Sequence, residues 1–450
     1  MKPGLRPLAD DVAGVDDVAS VASVAAGARP DAERATDQLD TLAAFAEELE
    51  RRLPGYLRRQ PLRLLAGHPL ASDCAAIARA WSLPLVEVGD DAELTSVDRY
   101  LQARLASGPP AGRHALGPAA LAERHALHLA ARDARDAREA ELSRATNTLT
   151  VPEVPGLRYT ALGHGGPPVV AINALGQTTL AWLPLLAELS RHQRVLVWEQ
   201  REHDAAGRPL TFAEHCADLR AILDAERADS CHLVGWCTGA KLAMRTCRLH
   251  PERVASVVWL AGSFKHPNRA PALDTRYERN LEAMLYAVDR QPALAERLRG
   301  VLSHSAASDT SSEAALTQLE PEALAQRLLG EVPAALMQSV RRPFRSGDAL
   351  RVYARQHLEI WSHDETAPLP IPRPILALSG ALDRIVSPEA VRSALGRFAS
   401  ARFELYTGAT HYLLFERAAE VAIRIEKWIA TAQECANVTP QLVVRSSHDE

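Results

Sequence analysis

The sequence predicts an α/β protein built on a mostly parallel sheet with helices on both faces, plus a second, smaller domain. From about residue 157 onward, short apolar segments typical of buried strands alternate with amphipathic helical segments, the pattern of parallel strands joined by helices. A glycine-bracketed turn at 235–239 (Gly-Trp-Cys-Thr-Gly) joins one such strand to one such helix. The length of 450 residues exceeds one typical core, so a second domain is expected.

Composition shifts and breakers divide the chain into five segments. The first and last lack a regular apolar period, and the long helix in the middle becomes polar on all faces in its second half. One long stretch of short helical pieces interrupts the strand–helix alternation and predicts a lid over the site. The segments are a mobile lead-in (1–34), a small N-terminal α/β domain (35–118), a linker helix (119–150), the larger α/β domain (151–436) with its lid (264–373), and a flexible tail (437–450).

In the larger domain, apolar runs of strand length and helical apolar periods predict the elements directly. The predicted strands are 157–162, 169–174, 194–198, 232–235, 254–260, 374–379 and 402–406. The predicted helices are 180–189, 212–227, 239–249, 388–399 and 418–432.

The composition argues against several classes of partner. The balance of 51 basic and 56 acidic side chains gives a net charge of −5, so no attraction to nucleic acid or to an anionic membrane is expected. No apolar run reaches the ~18 residues of a membrane span. The six cysteines form no C-x-x-C pair, so a reducing, cytoplasmic location is expected. His125 and His128 lie one helical turn apart without a third ligand, so no metal site is predicted.

Residues 231–244 carry the main chemical signal. An apolar strand, the glycine-bracketed turn and a helical segment together form a nucleophile elbow, which presents one reactive side chain at the carboxyl end of a sheet. The glycines are needed because the nucleophile's backbone is strained while strand and helix pack closely on either side. The side chain presented is Cys237, where serine is usual. A thiol nucleophile is therefore predicted.

A cysteine nucleophile needs a base, and the base needs a group that orients it. Asp383 follows the strand I-L-A-L, and His411 follows the strand F-E-L-Y. Both are therefore expected at carboxyl strand ends, where an open α/β sheet places its site. A buried thiol in an ordinary turn, or a solvated loop aspartate or histidine, would explain each feature alone. The three together, in the order nucleophile, acid, histidine, predict a Cys237-His411-Asp383 triad.

With these residues in place, residues 157–432 resemble an α/β-hydrolase domain, and the fold this implies is an α/β-hydrolase fold with a helical lid. The segment 172–182 resembles the oxyanion loop of that family. The resemblance implies that the backbone N–H groups of Thr238 and Leu175 form the oxyanion hole.

The chain departs from the family pattern at two places. The usual His-Gly pair of the oxyanion loop is Asn173-Ala174, and the usual Asp-x-Arg-Gly after the preceding strand is Glu-Gln-Arg-Glu at 199–202. Because both expected oxyanion donors are backbone groups, the altered side chains do not remove the chemistry. The loop at 199–202 is expected to differ from the family's.

The thiol also favours one reaction class. Attack of a thiolate on a thioester gives another thioester, so the step is nearly isoenergetic and reversible. A cysteine elbow therefore suits acyl transfer from thiol to thiol, or to an amine, better than hydrolysis. The G-W-C-T-G-A elbow, the overall length and the N-terminal extension resemble the stand-alone aminoacyltransferases of nonribosomal peptide pathways. Polyhydroxyalkanoate synthases share G-x-C-x-G without further likeness, and dienelactone hydrolases are shorter and lack the large lid.

The favoured resemblance implies that an aminoacyl group moves between phosphopantetheine arms of carrier (thiolation) domains through a thioester on Cys237, with no bound cofactor. It implies that His411 deprotonates the thiol and that Asp383 orients the imidazole. Two alternatives stay open. One is a type II or cyclising thioesterase, and the other is a non-catalytic binding protein that keeps the fold.

A basic run near the end of the predicted lid is a candidate docking site for a carrier. Carrier domains are usually acidic, and arginines suit both a carboxylate-rich surface and the phosphate of the arm. A solvated helix face explains the same run equally simply. The residues concerned are Arg341, Arg342 and Arg345.

Overall fold

The computed structural model describes residues 56–69, 71–106, 118–144, 148–305, 332–406 and 409–438, together with positions 42, 45, 46 and 49. The predicted lead-in and nearly all of the predicted tail lie outside these residues, as does part of the predicted lid. Two sheets are formed within the described ranges, one of two strands and one of eight.

The eight-stranded sheet has the order β10-β9-β8-β7-β5-β6-β4-β3. Only β4 runs antiparallel to its neighbours β3 and β6, and the other adjacent pairs are parallel. The carboxyl ends of the parallel strands therefore meet at one edge. The strands of the two sheets are β1 (Leu62–Leu65), β2 (Leu85–Val88), β3 (Thr148–Thr150), β4 (Arg158–Leu162), β5 (Val169–Ile172), β6 (Val195–Val197), β7 (Cys231–Trp236), β8 (Val254–Leu260), β9 (Ile375–Gly380) and β10 (Ala401–Tyr406).

Helices connect the strands and flank the sheet. Within the described residues they are α1 (Tyr56–Arg59), α2 (Ala71–Ala80), α3 (Ser96–Ala106), α4 (Pro118–Arg144), α5 (Leu183–Leu189), α6 (Phe212–Ala225), α7 (Thr238–Leu249), α8 (Arg276–Arg290), α9 (Leu294–Ser305), α10 (Met337–Arg341), α11 (Gly347–Ser362), α12 (Pro388–Leu395), α13 (Leu413–Glu416) and α14 (Ala418–Val438).

The predicted strands of the larger domain all occur, each within two residues of its expected ends. The sequence analysis missed β3, an edge strand of three exposed residues with no apolar alternation to mark it. The helix expected over 180–189 begins as a 3₁₀ turn at Thr179–Trp182 and becomes α-helical at Leu183. Pro184, which is favoured in a first helical turn, marks that start.

The central sheet is buried on both faces by separate apolar layers. Along β5, Val170 and Ile172 join one layer, while Val169 and Ala171 join the layer on the opposite face. Successive side chains of a strand point to opposite faces, so a strand buried on both faces is apolar along most of its length. This explains the uninterrupted apolar runs of β5 and β6, while β8 is interrupted only by the buried Ser256.

The N-terminal elements have a core of their own. Strands β1 and β2 pair in parallel, and a separate apolar cluster covers them. Helix α4 packs against α2 on one side and against α5 of the main sheet on the other. This long helix therefore joins the two-stranded unit to the larger one.

A buried ion pair fixes the loop after β6 to α6. The Arg201 guanidinium donates from Nη2 to Asp218 Oδ1 at 2.6 Å and from Nε to Asp218 Oδ2 at 3.0 Å. The two side chains are 16% and 3% exposed. The loop at 199–202, which departs from the family pattern, is thereby held in place by Arg201.

We expect Arg201→Ala to lower the free energy of unfolding by about 3 kcal/mol, because it leaves the buried Asp218 carboxylate unpaired. Urea denaturation followed by circular dichroism measures this change. Arg208→Ala is the matched control, since the Arg208 side chain is 76% exposed and its ion pair with Asp204 is solvated. Equal denaturation midpoints for the two variants would contradict the prediction.

Candidate active site

Cys237 lies in a strained turn between β7 and α7. Its backbone has φ 53° and ψ −119°, in the positive-φ region that side-chain-bearing residues rarely adopt. The turn requires both of its glycines. A Cβ on Gly235 would lie 2.5 Å from the Ala240 backbone, and one on Gly239 would lie 2.3 Å from the Ile172 carbonyl oxygen. The half-buried thiol is thus presented at the carboxyl end of the sheet, as predicted.

The structure brings the predicted base and acid together beside the thiol. His411, after β10, and Asp383, after β9, are joined by a 2.9 Å hydrogen bond between Nδ1 and Oδ2. The other carboxylate oxygen, Oδ1, accepts the backbone N–H groups of Ile385 at 2.8 Å and Val386 at 2.9 Å. With Nδ1 committed to Asp383, the second ring nitrogen, Nε2, is left for the thiol.

The electrostatics favour a charged imidazole. Burial by itself lowers the pKa of His411, but the Asp383 carboxylate and the Cys237 sulfur raise it to about 10. The imidazolium is therefore the stable form at neutral pH, and its positive charge lies beside the Cys237 sulfur. Burial keeps three other cysteines in the thiol form. Burial raises the pKa of Cys216 and Cys231 to about 12 and that of Cys247 to about 11.

Trp236, directly before Cys237, supports His411. Its indole Nε1 donates a 3.0 Å hydrogen bond to the His411 carbonyl oxygen. Its ring also lies 5.6 Å from the imidazole, measured between centroids. The sequence analysis did not assign Trp236 a role, since a tryptophan in a buried strand is indistinguishable from an ordinary core residue.

The two predicted oxyanion donors differ in whether another group already accepts their hydrogen bond. Thr238 N–H lies in the first turn of α7, where a helix has no acceptor for it. The Leu175 N–H instead donates to the Thr238 hydroxyl at 2.8 Å. Leu175 can therefore reach an oxyanion only after the Thr238 side chain turns away.

Asn173 holds the oxyanion loop together. Its Nδ2 donates to the carbonyl oxygens of Gln177 and Thr178, both at 2.8 Å, and its Oδ1 accepts from the Trp182 indole at 3.1 Å. The backbone oxygen of Asn173 accepts a 2.8 Å hydrogen bond from the Gln200 amide. The two departures from the family pattern are thus in direct contact.

Cys237 and His411 open into a cavity of about 60 Å³. Helices α8 and α11, which lie between β8 and β9 in the chain, supply much of its wall. None of the residues that they contribute was predicted, because nothing in a helical segment marks which side chains will face a distant strand end. They are Tyr277, Glu278, Leu281, Tyr353, His357 and Trp361.

A larger groove of about 970 Å³ adjoins this cavity and shares Tyr277, Leu281 and Val340 with it. The three predicted docking arginines, Arg341, Arg342 and Arg345, line the groove. Two of them already make ion pairs with the unusual loop at 199–202. Arg342 lies 2.8 Å from Glu199, and Arg345 lies 2.5 Å from Glu202.

A model of the alpha/beta hydrolase fold family matches residues 167–418. The match covers more than half of the chain and includes all three predicted triad positions. The chain belongs to the α/β-hydrolase family. The fold and the carboxyl-end position of the site follow from this membership.

The similar curated proteins include two named RutD and described as candidate carbamate hydrolases. That of Caulobacter vibrioides is 28% identical over 138 residues, 28% of this chain and 51% of its own. That of Variovorax paradoxus is 32% identical over 118 residues, 25% of this chain and 44% of its own. This α/β-hydrolase therefore spans about half the length of the curated relatives it matches.

Among solved structures, a thermophilic esterase from Thermogutta terrifontis aligns with 63% of this chain and 98% of its own, at 18% identity and a TM-score of 0.45. So distant a likeness carries no information about activity. Within the described ranges, no helix is long and apolar enough to cross a membrane.

We expect iodoacetamide to label Cys237 faster than the buried cysteines 74, 216, 231 and 247. Burial raises the pKa of Cys216 and Cys231 to about 12 and that of Cys247 to about 11, so these thiols stay protonated at neutral pH, whereas Cys237 is less buried and lies beside a charged imidazole. Peptide mass spectrometry gives the rate at each site. His411→Ala should slow Cys237 labelling about tenfold or more at pH 7, and uniform labelling of all thiols would contradict the prediction.

We expect Thr238→Val to acylate about two- to tenfold faster than the wild type, because it removes the hydrogen bond that occupies the Leu175 N–H. The burst of nitrophenolate released from p-nitrophenyl acetate measures this rate. Thr238→Ser keeps the hydroxyl, serves as the matched control and should not accelerate. A large loss of rate in Thr238→Val would instead show that the hydroxyl itself stabilises the oxyanion.

Proposed function

We propose that this α/β-hydrolase-fold protein is an acyltransferase that carries an acyl group as a thioester on Cys237. The acyl group comes from one phosphopantetheine thiol and passes to another, the two arms belonging to carrier domains of a nonribosomal peptide or related pathway. The observation that carries the proposal is the elbow itself, which presents a thiol beside a charged His411. A thiolate captures an acyl group from a thioester without a large drop in free energy, so a second thiol can recover it.

The first half-reaction needs no separate deprotonation step. The Cys237 thiolate attacks the acyl carbonyl, and the resulting oxyanion receives hydrogen bonds from Thr238 N–H and, once released, from Leu175 N–H. As the bond to the donor sulfur breaks, His411 Nε2 gives its proton to the leaving thiolate. The products are acyl-Cys237, a neutral imidazole and the free donor thiol.

Acylation itself prepares His411 for the second half-reaction. The sulfur charge that helped to raise the pKa of His411 has been removed, so the neutral imidazole can act as a base. It takes the proton of the acceptor thiol, whose sulfur attacks the thioester. Cys237 leaves as a thiolate and restores the ion pair with the imidazolium.

The groove beside the cavity supports entry of a long, narrow donor. An extended arm could lie along it with the thioester at Cys237 and its phosphate near the arginines at 341, 342 and 345. Since Arg342 and Arg345 are already paired with Glu199 and Glu202, a phosphate there must compete with these carboxylates.

A thioesterase that releases the acyl group to water, or to an internal nucleophile, is the second candidate. The family membership and the hydrolase names of the relatives favour it. The two functions share acyl-Cys237 and differ only in what discharges it. A non-catalytic binding role requires that no acyl-enzyme forms.

The test is the intact mass of the protein after mixing with an aminoacyl-loaded carrier domain. We expect a gain equal to the aminoacyl group in the wild type and none in Cys237→Ala. Addition of an empty holo-carrier should discharge the adduct and load the second carrier. Cys237→Ser should form an oxyester that the second carrier recovers at least about tenfold more slowly.

Two outcomes would overturn the transferase. Loss of the adduct to water at one rate, with or without the second carrier, would identify a thioesterase. Absence of an adduct with any loaded carrier, in a protein whose Cys237 still reacts with iodoacetamide, would exclude carrier-bound substrates.

A further inference from the structure

Tyr353 is a buried tyrosine of the cavity wall whose hydroxyl the triad does not use. It lies on α11, is only 9% exposed and lines the cavity together with Cys237, Thr238 and Leu175. Within the part of the chain that the structure describes, its hydroxyl makes no hydrogen bond. A buried hydroxyl without a partner carries a desolvation cost that a bound acceptor can offset.

Three neighbours fix the ring of Tyr353. It packs edge-on against Phe344 and His357, with centroids 6.0 Å and 5.0 Å away. The third neighbour is Gly176 of the oxyanion loop, where an added Cβ would lie 3.0 Å from Cδ2 and 3.1 Å from Cε2 of Tyr353. The hydroxyl is carried by Cζ, the carbon next to Cε2, so it lies beside the oxyanion loop.

The predicted oxyanion hole lacks a free second backbone donor. Thr238 N–H has no acceptor within its helix, but Leu175 N–H already donates to the Thr238 hydroxyl at 2.8 Å. A tetrahedral intermediate places a negative charge on one oxygen, and the loss of one donor to that oxygen costs about 10²–10³ in rate. A second donor from the cavity wall would therefore accelerate acylation.

The Tyr353 hydroxyl meets the chemical requirements of that donor. Burial, followed by Tyr277 and the Cys237 sulfur, raises the pKa of Tyr353, so the phenol keeps the proton that it would donate. The contribution of Cys237 also means that the hydroxyl lies within electrostatic range of the sulfur. Because the cavity of about 60 Å³ holds only about four waters, an acyl oxygen in it lies close to the wall.

The second tyrosine of the cavity lies in a different environment. Tyr277 on α8 is 43% exposed and also lines the large groove, so water competes with any acyl oxygen for its ring edge and hydroxyl. Tyr353 lines the cavity but not the groove. Of the two hydroxyls, that of Tyr353 is therefore the better placed to act on an oxyanion.

We propose that the Tyr353 hydroxyl is the second oxyanion donor of this site while the Leu175 N–H is bound to Thr238. As the Cys237 sulfur bonds to the acyl carbon, the carbonyl electron pair moves to the oxygen, which accepts hydrogen bonds from Thr238 N–H and Tyr353 O–H. When the leaving group departs, the pair returns and the tyrosine still holds its proton. The inference rests on acylation of Cys237, the first half of the proposed function, and holds for any acyl group or acceptor.

The test separates acylation, which forms an oxyanion, from alkylation, which does not. The burst of nitrophenolate from p-nitrophenyl acetate measures acylation of Cys237, and iodoacetamide labelling measures alkylation of the same sulfur. Tyr353→Phe removes the hydroxyl and keeps the ring against Gly176. We expect it to slow the burst about tenfold or more and to leave the alkylation rate unchanged.

The matched control is Tyr286→Phe, the same chemical change at a tyrosine of α8 that is 44% exposed and lines neither the cavity nor the groove. It should alter neither rate. A slower burst in this control would show that the assay reports a general effect of losing a hydroxyl, and would overturn the assignment to Tyr353.

A double variant tests whether Tyr353 replaces Leu175. Thr238→Val frees the Leu175 N–H, so the hole gains a second backbone donor. In that background we expect Tyr353→Phe to slow the burst only about threefold or less, because two donors remain. The loss caused by removing the tyrosine hydroxyl should thus depend on the residue at position 238.

The outcomes separate the inference from the function on which it rests. An unchanged burst in Tyr353→Phe would overturn it, as would equal slowing of the burst and of alkylation, which would mean that the residue only supports the thiol or the fold. Equal losses in both backgrounds would show that Tyr353 does not replace Leu175. No burst from a wild type that iodoacetamide still labels at Cys237 would instead overturn acylation itself, together with the role of Tyr353.

Discussion

The positive φ of Cys237 is the constraint on which the rest of the site depends. It aims the thiol out of the sheet only because Gly235 and Gly239 allow strand and helix to approach closely. His411 must then reach the thiol from the loop after β10, which is separated from β7 by two strands, β8 and β9. Its hydrogen bond to Asp383 and the indole of Trp236 both hold it there. The strained turn at Cys237 is thus supported by residues at the carboxyl ends of three strands, β7, β9 and β10.

The departures from the family pattern form a connected arrangement. Asn173 organises the oxyanion loop with its side-chain amide, and Gln200, from the second unusual loop, donates to its carbonyl oxygen. Glu199 and Glu202 of that second loop pair with Arg342 and Arg345. The oxyanion loop is therefore linked, through one amide and two ion pairs, to the segment between α10 and α11 that lines the groove.

In the proposed reaction, the thiol and the cavity wall act on different steps. The charge on His411 and the ready exchange of thioesters bear on how an acyl group is taken up and released. The cavity wall, which includes Glu278 and His357, bounds the space beside the thiol.

The sequence by itself predicted the strands of the larger domain except β3, the elbow, and the order of Cys237, Asp383 and His411 at strand ends, because each depends on a local pattern. Apolar runs mark buried strands, glycines mark the strained turn, and a strand end marks where Asp383 and His411 must lie. Only the tertiary structure showed that Leu175 N–H donates to the Thr238 hydroxyl, that Trp236 supports His411, and that Glu278 and His357 line the same cavity as Cys237. These contacts join residues that are distant along the chain. Helical periodicity shows which face of α8 or α11 is buried, but only the packing of these helices over the sheet determines which residues that face contacts.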